Sequence, residues 1–224
     1  MKKHRFKINP IYFLLIVPVV FAVLALNHFG FFFKSGTAGA GIGILLLLYF
    51  RRLLKAKDIL FLMAAFGFSI AGDWFLSNKH DDTDRFVFGI AFFFLAHLGY
   101  LLYAWLNGRF NKIFTLILLL AFLGFFVLAI YPFVDDKILL SAVLGYLVIS
   151  CISLGAAVGI RSTGAEKQAF VLGIFLILFS DTIIALKEFT GYNELNFLIL
   201  PTYYLAHISI TFSVMHRKLK SKKT

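Results

Sequence analysis

Four ionisable residues lie within long apolar stretches of this chain, and they are the first candidates for chemistry. They are Asp73, His97, Asp181 and His207. A charged side chain at the centre of a membrane helix costs roughly 2.5–3.5 kcal/mol even on mild scales, so such residues are rare and usually face a polar cavity. Two carboxyl groups with histidines nearby are suited to acid–base chemistry, in which one group donates a proton while another stays ionised.

Helical spacing predicts small or polar neighbours for each of these four residues. Ser69 lies one turn before Asp73 and can donate a hydrogen bond to it, while Gly72 leaves room for a partner helix or a ligand. The other candidates share a helix face with one of the histidines or adjoin Asp181: Gly89, Tyr100, Tyr203, Tyr204 and Ser180. Structural roles remain open for all of them, because a membrane Asp can serve in packing and a neutral His can donate one structural hydrogen bond.

The composition predicts a polytopic membrane protein. Hydrophobic residues make up 61% of the 224 residues, whereas about 45–50% is ordinary for a soluble domain. The formal net charge of +11 comes from short basic clusters between apolar runs, at Lys2–Lys7, Arg51–Lys57 and Arg217–Lys223. Such clusters favour anionic membrane lipids as partners and argue against nucleic acid.

Other kinds of site are excluded by what the sequence lacks. The single cysteine, Cys151, permits neither an intramolecular disulfide nor a thiolate metal cluster. The sequence contains no Gly-rich phosphate loop, no Cys-x-x-Cys and no His-Glu-x-x-His. No cofactor is therefore expected.

Charges and turn residues divide the chain into eight predicted spans, since a spanning helix needs about 20 apolar residues. The first has the basic flank of a signal peptide, but its long apolar run and the spans that follow favour an uncleaved anchor. The predicted spans are residues 11–29, 37–50, 59–76, 85–106, 110–130, 137–160, 166–186 and 196–215. The prediction is an all-α transmembrane bundle forming a single domain.

The distribution of Lys and Arg predicts the orientation of the bundle. Of the 22 such residues, 17 lie in the two tails and the loops after spans two, four and six. This bias places both termini in the cytoplasm, with the plasma or inner membrane expected for a bacterial protein. Asp73 and Asp181 then lie in the outer third of the membrane and the two histidines near its midplane, so all four could line one cavity open to the outside.

The two halves of the chain show a weak internal similarity. FLAHLG at residues 94–99 resembles YLAHIS at residues 204–209, and each His follows an Asp by 24 or 26 residues. Because the halves are offset by four spans, they predict a possible 4+4 parallel repeat with a site at the interface between the halves.

Three motifs resemble the lysoplasmalogenase family of integral membrane proteins, also called YhhN-like. The motifs are Ser69-x-x-Gly72-Asp73-x-x-Leu76, Phe86-x-x-Gly89-x-x-x-Phe93-x-x-x-His97-x-x-Tyr100 and Phe179-Ser180-Asp181. The resemblance covers nearly the whole chain, including the eight spans. His207 departs from it, because the last helix of the family tends to read Ala-Gln where this chain reads Ala206-His207.

The resemblance implies hydrolysis of the vinyl ether bond of a lysoplasmalogen, with Asp73 and Asp181 as the catalytic pair. The products would be a fatty aldehyde and a glycerophospho-alcohol. In such chemistry one carboxyl group protonates the alkene carbon and the other stabilises the oxocarbenium ion and orients water, as in glycosidases. His97 would tune the pair or relay protons, and the single-chain lysophospholipid would enter from the bilayer with its tail against phenylalanines.

Two other classes of function could use the same residues. Asp73, His97, Asp181 and His207 could bind a metal such as zinc in a metal-assisted lipid hydrolase. Alternatively, the aspartate pair could be a proton or ion site in a transporter or lipid-binding protein.

Overall fold

The computed structural model describes residues 9–80 and 82–220, and over these residues the chain is helical without a strand. Seven helices of this part of the chain are long and apolar enough to cross a membrane, and the apolar helix Pro10–Leu26 is shorter. The α-helices are α1 Ile16–Leu26, α2 Phe31–Tyr49, α3 Lys57–Ser77, α4 Thr83–Leu106, α5 Lys112–Phe125, α6 Lys137–Val158, α7 Ala165–Ala185 and α8 Asn196–Lys220. The predicted all-α class is confirmed, and the protein is a multi-pass integral membrane protein.

Parts of two predictions lie outside the described residues. They are the basic clusters in the two tails, at Lys2–Lys7 and at Lys222 and Lys223, and the loop residue Asp81.

Helix α2 begins at Phe31, six residues before the start that the sequence predicted. The predicted boundary was drawn at a charge and a turn residue, Lys34 and Gly36, and Gly disfavours a helix by about 1 kcal/mol relative to Ala. Tertiary packing overrides this cost, because the Phe21 ring of α1 lies against the α2 backbone at Gly36. As a result Lys34 lies in the first turn of α2 and not in a loop.

Helix α7 continues into a π-helical turn at Leu186–Thr190. Gly191 ends this turn with φ of +71°, a left-handed conformation that glycine adopts without steric cost. Such π-turns are frequent at functional sites. Here the turn carries Glu188 and Phe189, which line the cavity described below.

Glycines allow α3 and α4 to pack with their backbones close together. A Cβ added at Gly99 of α4 would lie 2.7 Å from the carbonyl oxygen of Phe61 on α3. At Gly72 the space is filled by the ring of Phe93, which an added Cβ would approach to 2.9 Å. The room that the sequence predicted beside Gly72 therefore receives a partner helix.

The arrangement of neighbouring helices has the pattern that a 4+4 parallel repeat predicts. The packed pairs α1–α2, α2–α3 and α3–α4 have counterparts in α5–α6, α6–α7 and α7–α8. The contact of α2 with α8 likewise corresponds to that of α6 with α4. The two halves therefore meet through α4, α6, α8 and α2, and the candidate residues lie on or beside these helices.

One end of the bundle, here called the terminal end, holds the start of the first helix and the end of α8. The Tyr12 hydroxyl there is hydrogen-bonded to His216 Nδ1 at 2.7 Å. Arg217 Nη2 lies 2.6 Å from Asp58 Oδ2, and Asn107 Nδ2 donates to the same oxygen at 3.1 Å. These contacts tie α3, α4 and α8 together at the terminal end. The cavities described below lie toward the opposite end of the bundle.

Candidate active site

Asp73 is buried on α3 and forms an ion pair with a lysine from α2. Its Oδ1 lies 3.6 Å from Lys34 Nζ, and the Asp73 and Lys34 side chains are 7% and 23% exposed. Lys34 Nζ also donates a hydrogen bond to Ser77 Oγ at 2.8 Å, which fixes the ammonium group above the carboxylate. Tyr203 of α8 lies beside Asp73 on the interior side. Asp73 therefore faces the bundle and not lipid.

Asp181 on α7 has different partners. Its Oδ2 accepts a hydrogen bond from the Tyr146 hydroxyl of α6. The same oxygen lies 3.9 Å from His97 Nε2 of α4. Three helices thus converge on this carboxyl group, and its side chain is 11% exposed.

The two aspartates belong to one buried polar region. They are close enough to interact electrostatically, and Tyr100 and Tyr203 lie within the electrostatic range of both. Two carboxyl groups in one low-dielectric region resist ionising together.

The buried polar atoms of this region make few hydrogen bonds to protein. The described atoms without a protein partner include Asp73 Oδ2, both ring nitrogens of His97 and of His207, and the hydroxyls of Tyr203 and Tyr204. An unsatisfied buried polar group costs about 1–3 kcal/mol, so native proteins usually pair such groups with water or ligand. The region is thus equipped to hold a polar molecule.

The predicted residues His97, Tyr100, Ser69 and His207 are all buried and make contacts with other aromatic or polar side chains. His97 packs edge-on against Tyr146 and Tyr100, with ring centroids 5.3 and 5.9 Å away. The hydroxyls of Tyr100 and Ser69 are 3.4 Å apart. His207 lies against Tyr203, 4.6 Å away between centroids, and Phe66, 5.1 Å away.

Three of the predicted site residues make helix contacts. Gly72 and Gly89 lie in the α3–α4 contact, where a Cβ on Gly89 would come 2.8 Å from the Leu76 side chain. Ser180 donates a hydrogen bond to the Ile199 carbonyl at 3.1 Å and so joins α7 to α8 just before Pro201. Their contacts hold the helices that carry the aspartates.

A narrow apolar cavity of about 60 Å³ leads to Asp181. Asp181 and Tyr146 lie in its wall, and the rest of the lining is apolar: Leu76, Phe86, Ile90, Phe93, Val143, Ile184, Ala185 and Phe189. Phe86 and Phe189 also border a polar cavity of about 360 Å³ at the end opposite the terminal end. Of the four ionisable residues singled out from the sequence, Asp181 is the one that lines the apolar cavity.

The polar cavity carries charges of both signs. It is lined by Lys79, His80, Asp82, Asp135, Asp136 and Glu188. Lys79 Nζ lies 2.6 Å from Glu188 Oε2, so this lysine after α3 bridges to the π-helical turn that follows α7. The two cavities together form a polar mouth above an apolar interior.

Sequence reasoning missed Lys34 and Tyr146. Lys34 directly follows three phenylalanines, which was a signal that it belongs to an apolar helix. Tyr146 is a single tyrosine within an apolar run, and nothing in its local pattern distinguishes it from a packing residue. Its role depends on the contact between α6 and α7.

The residues of the metal hypothesis are not gathered into one site. Over residues 9–80 and 82–220, no group of three or more His, Cys, Asp and Glu side chains is placed to hold a metal ion. His97 does approach Asp181, but Lys34 lies beside Asp73 and aromatic rings beside His207. The donor set therefore does not fit a metal centre.

The fold and the site together define a polytopic helical membrane protein with a buried aspartate pair, one member of which lines a small apolar cavity. The YhhN family profile matches residues 6–214. The chain belongs to the YhhN family, which includes lysoplasmalogenases, so the resemblance seen in its motifs is confirmed. No curated protein matches the chain, and no solved structure does.

Proposed function

We propose that this protein hydrolyses the vinyl ether bond of a lysoplasmalogen to a fatty aldehyde and a glycerophospho-alcohol. Membership of the YhhN family suggests a membrane lipid hydrolase. The observation that carries the proposal is the position of Asp181, in the wall of an apolar cavity that borders a polar one. The proposed ligands are a lysophospholipid substrate and the surrounding membrane lipids.

The shape and polarity of the cavities suit a single-chain amphiphile. In a lysoplasmalogen the vinyl ether joins the polar glycerophosphate part to the apolar chain, so it lies at the boundary between the two. In this protein the corresponding boundary is at Phe86 and Phe189, which border both cavities. A headgroup in the mouth would place the ether below these rings, toward Asp181.

The reaction needs one proton donor and one water molecule. The proton of the acid forms a bond to the alkene carbon distal to oxygen, and the π-electron pair of the alkene makes that bond, which leaves an oxocarbenium ion. Water adds to the cationic carbon and returns a proton to the carboxylate, giving a hemiacetal. Cleavage of the carbon–oxygen bond, with proton transfer to the leaving oxygen, then yields the aldehyde and the alcohol.

The contacts of Asp181 suit the role of acid and then base. One of its oxygens is occupied by the Tyr146 hydroxyl, which leaves the other for the transferred proton. The distance of 3.9 Å between His97 Nε2 and Asp181 Oδ2 supports a role for His97 in relaying a proton from water. We propose His97 as the supporting group and the aspartates as the catalytic pair.

The test is incubation of purified protein with a lysoplasmalogen and with its ester-linked analogue, while aldehyde is measured. We expect aldehyde from the first substrate alone. Asp73→Asn and Asp181→Asn should each lower turnover by about 10²–10⁴-fold, the usual contribution of an acid–base group. Asp84→Asn, at an exposed aspartate in the first turn of α4, is the matched control and should keep wild-type turnover.

Two outcomes would contradict the proposal. Normal turnover in either variant of the pair would remove that aspartate from the mechanism. Uptake of lysolipid by reconstituted vesicles without turnover of any lysolipid would instead identify a transporter that uses the same pair.

A further inference from the structure

We infer that Lys34 is a positioning residue that decides which aspartate of the pair is charged: it holds Asp73 as a carboxylate, so that Asp181 keeps the proton needed for the reaction. The inference deepens the proposed function and rests on it for its catalytic consequence. The charge assignment itself follows from the contacts of the two side chains.

The first step is the unequal distribution of cations around the pair. Lys34 Nζ lies 3.6 Å from Asp73 Oδ1 and is held there by Ser77. Among the described residues no Lys or Arg side chain lies within ion-pair distance of Asp181. A buried carboxylate needs a counter-charge to offset its desolvation, whereas a buried carboxyl group without one is more stable protonated.

The second step concerns the other groups that face each carboxyl group. Asp73 is approached from α8 by Tyr203 and Tyr204, and Asp181 from α6 by Tyr146. On the α4 side Asp181 meets His97 and, at longer range, Tyr100. Tyrosines are neutral near neutral pH, so Lys34 is the permanent positive charge that distinguishes the two sites.

The third step is the difference in access to the cavity. Asp181 lines the apolar cavity, whereas Asp73 is not in its lining. The Phe93 ring, which packs onto Gly72 next to Asp73, forms part of the cavity wall. The protonated member is thus the one that borders the cavity.

This division has a mechanistic consequence. When Asp181 transfers its proton to the alkene carbon, it becomes a second carboxylate within electrostatic range of Asp73. Repulsion between the two anions favours return of a proton to Asp181, which the attacking water supplies. Asp181 would thereby regain its proton, and Asp73 would keep its charge, after every turnover without an external acid.

Infrared spectroscopy of the purified protein tests the charge assignment without requiring turnover. We expect a band from a protonated buried carboxyl group near neutral pH that is lost in Asp181→Asn and kept in Asp73→Asn. Lys34→Met should add a second such band, because Asp73 then lacks its counter-charge. Loss of the wild-type band in Asp73→Asn, or no new band in Lys34→Met, would overturn the inference.

Kinetics test the catalytic consequence. Lys34→Met should lower kcat about 10- to 100-fold at neutral pH with KM within about twofold, and the deficit should shrink as pH rises and Asp73 ionises unaided. Lys34→Arg should restore most of the rate. Lys137→Met removes a lysine from the first turn of α6, the counterpart of α2 in the repeat, and should leave kcat unchanged.

These outcomes separate the two proposals. A deficit in Lys34→Met that is equal at every pH, or that Lys34→Arg does not relieve, would assign Lys34 a structural role and overturn the inference while turnover stands. The expected infrared bands in a protein that does not cleave lysoplasmalogen would overturn the proposed function and leave the charge assignment in place.

Discussion

At the scale of single residues, Asp181 depends on its neighbour Tyr146. The tyrosine hydroxyl donates to Oδ2 and sits in the wall of the same cavity as the carboxyl group. This contact occupies one of the two oxygens of a carboxyl group that lines the cavity. It also gives the new carboxylate a hydrogen-bond donor once the proton has left.

Tyr146→Phe is therefore expected to lower kcat about tenfold with little change in KM, since a hydrogen bond to a charged group is worth about 1.5–3 kcal/mol and some of this loss is recovered by water. Steady-state kinetics on detergent-purified protein measure the change. Tyr131→Phe, at an exposed tyrosine near the end of the α5 segment, is the matched control. Unchanged kcat in Tyr146→Phe would show that the hydroxyl does not act on Asp181.

His207 is a candidate from the sequence, but its surroundings in the structure differ from those of His97. Its position parallels that of His97, yet its ring packs between Phe66 and Tyr203, and no carboxylate lies within ion-pair distance of it in the described residues. His97 of α4 approaches Asp181 of α7, whereas among the described residues His207 makes no such contact with an aspartate. His97 and His207 therefore differ in surroundings.

At the scale of elements, the contact between α3 and α4 sets the relative height of Asp73 and His97. The contact is close because Gly99 has no side chain, and the Phe61 carbonyl oxygen and Ala65 of α3 occupy the space where a Cβ would lie. A methyl group at this position must push the two helices apart. Interiors packed at crystal-like density do not absorb such a change without strain.

Gly99→Ala should destabilise the protein by about 1–3 kcal/mol, the usual cost of overpacking. Thermal unfolding in detergent should then begin several degrees lower, and kcat should fall because Asp73 and His97 move apart. Gly124→Ala, where an added Cβ meets nothing within 4 Å, is the matched control and should be neutral or slightly stabilising. Equal melting temperatures for Gly99→Ala and wild type would show that α3 and α4 accommodate the added methyl group without loss of stability.

At the scale of the whole molecule, the two ends of the bundle differ in character. The terminal end is tied by the contact of Arg217 with Asp58. The opposite end has the polar cavity, which shares Phe86 and Phe189 with the apolar cavity that Asp181 lines. If the Lys and Arg distribution sets the orientation, the substrate would reach the site from the outer leaflet, and both termini would lie in the cytoplasm.

Cysteine labelling tests this orientation. Asp135→Cys, in the polar mouth, should react with a membrane-impermeant maleimide in intact cells, whereas Arg109→Cys, in the loop after α4, should react only after permeabilisation. The native Cys151 is fully buried, so the wild-type protein serves as the unlabelled control. The reverse pattern of labelling would place the termini outside and the mouth in the cytoplasm.

The sequence by itself determined the helical membrane class and the identity of the two aspartates. Both follow from local composition, because apolar runs long enough to span a bilayer are visible in one dimension and an Asp within such a run stands out. The family followed from polar residues at fixed spacing in those runs. Cutting the chain at charges and turn residues misplaced the start of α2, because the helical state of Lys34 and Gly36 depends on packing by residues of another helix.

Only the tertiary structure decided which side chains surround each of the two aspartates. Tyr146 is 35 residues from Asp181 along the chain, and Lys34 pairs with Asp73 from a different helix. Sequence order associates Asp73 with His97, whereas the fold brings His97 to Asp181 across the two halves. These partners are chosen by which helix faces meet, and close backbone packing at glycines fixes those faces. No local pattern encodes this, because each contact depends on several helices at once.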